Sequence, residues 1–238
     1  CVDNSLSAFD VYGQLTGGVL GLTSAVVHQG HWEVITGNGT MVSSGAAVGN
    51  TLTASAIDDQ YQPTAADLGT TITLRLVADD PDAGGPCGGD FDDIAIEINE
   101  AVIPDATTNG TNTTPTVICT NPVTLPSFNV YGSISGGRLG NSGVPVRSGH
   151  WEVAIGGGTF NSTNNLVGNS ITGSVINDTY KPVLADLGTT IELHLVAEDN
   201  DAGAGPCGDV IDAISIEVNE LLVADATTDG TDFTPAAV

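Results

Sequence analysis

The sequence predicts an all-β chain folded as two tandem antiparallel β-sandwiches, and three observations carry that prediction. Short apolar runs alternate with polar residues at a period of two, as in half-buried strands. Glycine and proline punctuate these runs, with 31 Gly and 11 Pro in 238 residues, a mixture that disfavours long helices. The whole pattern then occurs a second time.

The repeat is read directly from the residues. His31-Trp32-Glu33-Val34 recurs as His150-Trp151-Glu152-Val153, and Tyr61-Gln62-Pro63 through Asp67-Leu68-Gly69-Thr70-Thr71-Ile72 recurs as Tyr180-Lys181-Pro182 through Asp186-Leu187-Gly188-Thr189-Thr190-Ile191. Gly-Pro-Cys ends at Cys87 and again at Cys207, and Ile94 to Glu100 matches Ile214 to Glu220. The Thr-rich stretch between the copies also recurs, Asp105-Ala106-Thr107-Thr108 as Asp225-Ala226-Thr227-Thr228. The expected organisation is a first repeat over 1–103, a connector over 104–118, a second repeat over 119–223, and a connector over 224–238 leading to a further repeat. The sequence opens at Cys1 without a signal peptide, as expected of a fragment or a processed product.

Within each copy the strands follow from alternation. Ile72, Leu74, Leu76 and Ala78 face one way, and their counterparts Ile191, Leu193, Leu195 and Ala197 repeat them; the opposite face changes to Glu192 and His194, so it is solvated. Ile94, Ile96 and Ile98 predict another strand. Further strands are expected at Phe9–Leu15, Trp32–Ile35, Gly39–Ser43 and Thr51–Ile57, with turns at Gly17-Gly18, Gly37-Asn38-Gly39 and Asp58-Asp59. About seven short strands in ~100 residues is the pattern of an immunoglobulin-like sandwich.

Charge narrows the function. Twenty-nine acidic residues against four basic ones give a net charge of −25. Such a surface repels nucleic acid and anionic membranes, and it attracts divalent cations or keeps a crowded array soluble. No run approaches the ~18 apolar residues of a membrane helix, so no membrane insertion is expected. Neither copy pairs a nucleophile with a histidine and acid in a recognisable motif, and no phosphate-binding Gly-rich loop opens a helix; the expectation is a chain without enzymatic activity. A Lys–Asn crosslink is excluded for the first copy, because the lone lysine is Lys181.

Three sets of residues stand out. Trp32 and Trp151, at equivalent positions, are expected in the two cores; a sugar-stacking platform is the other role open to them. Cys1, Cys87, Cys119 and Cys207 fall two per repeat, which argues for one disulfide per domain, Cys1–Cys87 and Cys119–Cys207, in an oxidising extracellular setting. The acidic loops are the third set: Asp79, Asp80, Asp82, Asp90 and Asp92 in copy one, and Glu198, Asp199, Asp201, Asp209 and Asp212 in copy two. Asp-x-Asp-x-Gly supplies hard oxygens at alternate positions and a glycine for the bend, as calcium loops do, although the bidentate Glu of an EF-hand is missing. Two readings stand, a calcium site and a solvated acidic surface.

The Cys-led first strand, the Trp strand, Gly-x-Gly-Thr, Tyr-x-Pro, Asp-x-Gly-Thr-x-Ile-x-Leu and Asp-Asp-Pro-Asp-Ala-Gly-Gly-Pro-Cys together resemble the immunoglobulin-like repeats of giant Bacteroidota surface proteins. These include the SprB-type gliding-motility adhesins exported by the type IX system. The resemblance spans both repeats, with Asn200 replacing the Pro in copy two. It implies a role in the shaft of a cell-surface adhesin or filament, with neighbouring repeats as partners. The alternatives are a module that binds surface glycans, solid surfaces or calcium, and a non-catalytic appendage of a secreted enzyme.

Overall fold

The structure, a computed structural model, describes residues 6–21, 23–82, 88–198, 201, 207–222 and 224. The chain is all-β, built from antiparallel sheets packed face to face. It divides into two compact units. Unit 1 comprises Cys1–Val102 with Gly136–Val146 and Asp199–Gly208; unit 2 comprises Ile103–Ser135, Arg147–Glu198 and Asp209–Val238.

Among the described residues unit 1 holds six strands: β1 (Phe9–Gln14), β2 (Gly30–Thr36), β3 (Thr40–Met41), β4 (Ala56–Gln62), β5 (Thr70–Ala78) and β6 (Asp90–Ile98). They form two three-stranded sheets, in the orders β1-β4-β3 and β2-β5-β6. The core takes Val11, Met41, Ile57 and Tyr61 from the first sheet and Trp32, Ile72, Leu74 and Ile98 from the second, the division expected when two half-apolar sheets close on each other. Trp32 is buried and its indole N–H donates to the Ile57 carbonyl at 2.7 Å, so the one polar atom of the ring is satisfied inside the core. Gly13 lets the opposite sheet approach closely: a Cβ there would stand 2.9 Å from the Leu76 side chain and 3.0 Å from the Ile57 carbonyl of its own sheet.

Two elements depart from expectation. The strand expected at Thr51–Ile57 is β4, Ala56–Gln62, and it runs through the Asp58-Asp59 pair expected as a turn. Aspartate is normally depleted in strands. Here Asp59 is tied into the neighbouring loop, accepting from the Ser43 hydroxyl at 2.5 Å and the Ser43 N–H at 3.1 Å. The strand also places Tyr61 in the core, with no exposed surface.

Segment 136–146, which lies within copy two, belongs to unit 1. Arg138 Nε sits 2.8 Å from Glu100 Oε2, and the Arg138 carbonyl accepts from the Glu100 N–H at 2.9 Å. The Gly140 N–H donates to Asn99 Oδ1 at 2.8 Å, and the Thr71 hydroxyl donates to the Gly140 carbonyl at 2.9 Å.

Unit 2 repeats the six strands and adds to them. Its elements are β7 (Val102–Asp105), β8 (Val117–Thr120), β9 (Phe128–Gly136), β10 (Ser148–Ile155), β11 (Thr159–Phe160), β12 (Ile171–Thr172), β13 (Val175–Lys181), β14 (Thr189–Ala197) and β15 (Val210–Glu220). The sheets run β11-β13-β9-β7 and β12-β10-β14-β15-β8. Strands β7 and β8 come from the stretch expected as a free connector. That stretch is folded into the unit: β7 extends the sheet beyond β9, and β8 pairs in parallel with the end of β15. Val102, Pro104 and Ala106 are buried while Ile103 is exposed, the alternation of a strand laid over a core. Thr114, 1% exposed, finishes the edge: its hydroxyl donates to the Tyr131 carbonyl and accepts from the Tyr131 N–H, both at 2.7 Å.

Replacing Thr114 by valine keeps the shape and deletes both bonds. It should lower the stability of unit 2 by about 1–3 kcal/mol, the cost of leaving two backbone groups unsatisfied. Calorimetry of the full chain should show one transition shifted down and the other in place; an unshifted thermogram would remove Thr114 from the edge.

Candidate functional site

The Trp-bearing strands carry a histidine between two acids on the face away from the core. In β2, His31 Nε2 lies 3.1 Å from Glu33 Oε1 and Nδ1 lies 3.4 Å from Asp79 Oδ1. In β10, His150 Nε2 and Nδ1 each lie 3.0 Å from a carboxylate, Glu152 and Glu198. The residues at i and i+2 share a face, and the loop after β5 or β14 brings the second acid alongside. Partial burial pushes the His150 imidazolium down, but the Glu152 and Glu198 carboxylates outweigh that and hold it above the ordinary histidine value. Glu198 is likewise desolvated, yet hydrogen bonds from Ser170, Ser148 and His150 keep it below the usual carboxylate range.

Asp79 and Glu198, read from sequence as calcium ligands, are therefore histidine partners. Four of the remaining candidates, Asp80, Asp90, Asp201 and Asp212, accept backbone N–H groups. Asp80 Oδ1 accepts from the Asp82 N–H at 3.0 Å, Asp90 Oδ1 from the Phe91 N–H at 2.9 Å, and Asp201 Oδ2 from the Cys207 N–H at 3.4 Å. Asp209 is exposed just before β15, and Asp92 is exposed within β6. Asp212 lies inside β15, opposite Leu195, and takes the Ala106 N–H at 2.7 Å. Asp199 lies outside the described residues. Among the described residues no group of three or more His, Cys, Asp or Glu side chains is placed to hold a metal ion. A depression of about 160 Å³ lined by Leu15, His28, Asp79, Pro81 and Asp90 lies beside the first acidic loop. It is well below the ~300–1,000 Å³ of small-molecule sites.

The cysteine layout needs correction. Cys119 is a free, exposed thiol, so the expected Cys119–Cys207 bridge is not formed. The parallel pairing of β8 sets Cys119 opposite Asn219, near the end of β15, whereas Cys207 precedes the start of that strand at Val210. About 30 Å of strand lies between them at ~3.3 Å per residue, against the ~7 Å limit between Cα atoms of a disulfide. Cys1 and Cys87, the pair expected in the first repeat, lie outside the described residues.

Sequence reading missed the most completely satisfied polar site. Asp67, with no exposed surface, accepts from the Tyr61 hydroxyl at 3.0 Å, the Thr64 N–H at 2.8 Å and the Asn38 N–H at 2.6 Å. Tyr180 and Asp186 reproduce it, with the hydroxyl at 3.0 Å and the Gly157 and Val183 N–H groups in the other two places. Each tyrosine oxygen in turn accepts the N–H of Gly39 or Gly158 at 2.9 Å. Burial pushes the Tyr61 hydroxyl up to about 12 and Tyr180 further in the same direction. The signal was present in the repeated Tyr and Asp of the Tyr-x-Pro…Asp-x-Gly segment, but it looked like turn chemistry.

Trp32 and Trp151 are both buried, and the Trp151 indole donates to the Ile176 carbonyl at 2.9 Å. Neither ring is presented to a ligand. The described fold and sites thus define an all-β repeat braced by buried carboxylate and indole hydrogen bonds. Comparison with protein-family models and with curated proteins finds no match to this chain.

Two outcomes follow from these sites. Burial raises the Asp67 carboxyl, but the Thr64 and Asn38 N–H groups and the Tyr61 hydroxyl more than offset this, leaving it below the ordinary 3.8. Its contribution to stability is complete above that unfolded value and is lost as pH falls through the lower folded value. Melting curves between about pH 6 and 2 should therefore show unit 1 weakening at the acid end. Asp67→Asn, which turns an amide donor toward N–H groups, should cost about 1–3 kcal/mol at neutral pH and flatten that slope. Separately, Cys119 should be alkylated in the native protein. Recovery of an intact Cys119–Cys207 peptide from an unreduced digest would contradict the strand register.

Proposed function

We propose that the chain is a load-bearing structural repeat in the shaft of a long extracellular adhesin or filament, each unit one immunoglobulin-like domain. The observation that carries this reading is the Thr-rich segment between the repeats. It is built into the fold of unit 2 as β7 and β8, so chain leaving one repeat becomes sheet in the next. A flexible tether gains nothing from such burial, whereas an array under tension does. The dense negative charge keeps crowded shafts apart and soluble outside the cell, and buried rather than displayed tryptophans suit a spacer. On this reading the chain has no catalytic role, its partners are neighbouring repeats, and the parent protein serves adhesion. The sequence resemblance to gliding-motility repeats supports the same setting.

The test is in cells that make the parent protein. Antibodies raised against this pair should label surface filaments at intervals along their length, and deleting repeats from the gene should shorten the filaments without detaching them. Label confined to the cell interior would end the proposal, and specific capture of the isolated pair on a glycan array would favour a binding module instead.

A further inference from the structure

Cys207 is disulfide-bonded, whereas Cys119 is a free thiol. The chain has four cysteines, so the sulfur that holds Cys207 belongs to Cys1 or Cys87, both in the first copy of the repeat. One bridge inside each copy is therefore not the layout. The loop that carries Cys207 belongs to unit 1, as residues Asp199–Gly208. It departs from a defined rung, where the Glu198 N–H donates to the Ser148 carbonyl at 2.9 Å. The other strand of that rung, β10, is entered from Gly136–Val146, which also belongs to unit 1. Within unit 1 the 136–146 segment meets the far end of β6: the Gly140 N–H donates to Asn99 Oδ1 at 2.8 Å, and Arg138 Nε donates to Glu100 Oε2 at 2.8 Å. Segments that flank one rung start side by side, so the Cys207 loop starts toward Asn99. Asp201 Oδ2 accepts the Cys207 N–H at 3.4 Å, which keeps the cysteine at the root of that loop.

Equivalence between the copies selects the partner. β8 sets Cys119 opposite Asn219. The first-copy counterparts of that pair are Cys1 and Asn99. Cys87 instead precedes β6, whose nine residues, Asp90–Ile98, separate it from Asn99. At ~3.3 Å per residue that strand spans about 30 Å, against the ~7 Å limit between Cα atoms of a disulfide. We propose that Cys1 and Cys207 form a disulfide that fastens the start of the first copy to the β14–β15 loop of the second, with Cys87 and Cys119 left as thiols. The bond forms by exchange with an external disulfide, a small-molecule or protein one of an oxidising compartment. One cysteine thiolate attacks it and releases a thiol, and the second thiolate displaces the other half from the mixed disulfide. Two protein thiols are oxidised, one external disulfide is reduced, and the two protons end on the released thiols. The proposal deepens the shaft reading and rests on it only for its biological setting. Tension arriving at Cys1 would cross to Cys207 through sulfur, and the fold between them would be shielded from it.

The experiment uses the full chain, oxidised in a glutathione redox couple and purified as the monomer. Digestion without reduction should yield one cross-linked pair, the Cys1 peptide with the Cys207 peptide. Alkylation in denaturant should count two thiols per chain, against the four present after reduction. Cys207→Ser should raise the oxidised count to three. Cys87→Ser should lower it to one and leave the Cys1–Cys207 pair intact. Because thiols are counted in denaturant, neither variant needs to fold for its count to be read. Stretching the chain from its two ends gives a second readout. The reduced chain should extend to about 800 Å, and the bridged chain, with some 200 residues bypassed, to about 110 Å, at ~3.5 Å per residue. Reductant should abolish this roughly sevenfold shortening. A Cys87–Cys207 or Cys1–Cys87 peptide in place of the expected pair, or four thiols in the oxidised monomer, would overturn the bridge. The filament-labelling test decides the shaft independently of all these outcomes.

Discussion

Everything in this fold depends on how the edges of two small sheets are closed. A three-stranded sheet has one interior strand and two edges, and each edge presents a row of unmatched N–H and carbonyl groups. Its inward face is also too narrow to be covered by the opposite sheet alone. Unit 2 meets both demands with a single stretch of chain. β7 pairs with β9 and lays Val102, Pro104 and Ala106 over the core, the Thr114 hydroxyl matches a donor and an acceptor at once, and β8 continues along β15. The Thr-rich composition that reads as linker is what such an edge requires, because threonine suits a strand and carries its own donor and acceptor.

The interior was the legible part of the fold. Alternation at Ile72-Leu74 and Ile191-Leu193 placed those side chains in the core, and one tryptophan per repeat was expected beside them; all are buried. What stayed hidden has a common cause. The position of β4 was obscured by Asp58-Asp59, of which Asp59 is held in the strand by Ser43, distant in sequence. The role of 104–118 was obscured because its partners, β9 and β15, lie later in the chain. The Cys119–Cys207 pairing was argued from count and repetition, which carry no information on distance; the parallel register of β8 sets that distance. Local pattern reports which face of an element is apolar, and it is silent about which other element completes an edge.

Among the described residues the candidate metal ligands are not gathered into one group, for a reason that belongs to the chemistry of this composition. Twenty-nine acids share four basic residues, so few carboxylates can be paired with a cation. Arg75 takes Asp93 through two hydrogen bonds, at 2.7 and 2.9 Å, and Arg138 takes Glu100. Many of the others are satisfied by backbone N–H groups or hydroxyls at turns and edges, as Asp67, Asp80, Asp90, Asp105 and Asp212 are. A carboxylate that already accepts from an N–H can still ligate through its second oxygen, but its position is then dictated by the turn it caps. Strand geometry finishes the separation, since Asp92 and Asp212 lie inside β6 and β15 while Asp80 and Asp201 lie in the loops before them.

Those two strand residues show how an edge, a core and a carboxylate depend on one another. Asp92 and Asp212 occupy the same place in the repeat, opposite Leu76 and Leu195 on strands of the same register. An aspartate at the margin of an apolar core costs stability when it is withdrawn from water without a partner, and little where water still reaches it. In unit 2 the N–H comes from Ala106, on the segment that also seals the edge and covers Ile214. The same aspartate in unit 1 is exposed, so water does for Asp92 what the Ala106 N–H does for Asp212. In unit 2, edge, core and carboxylate therefore make one requirement, and a single stretch of chain meets all three.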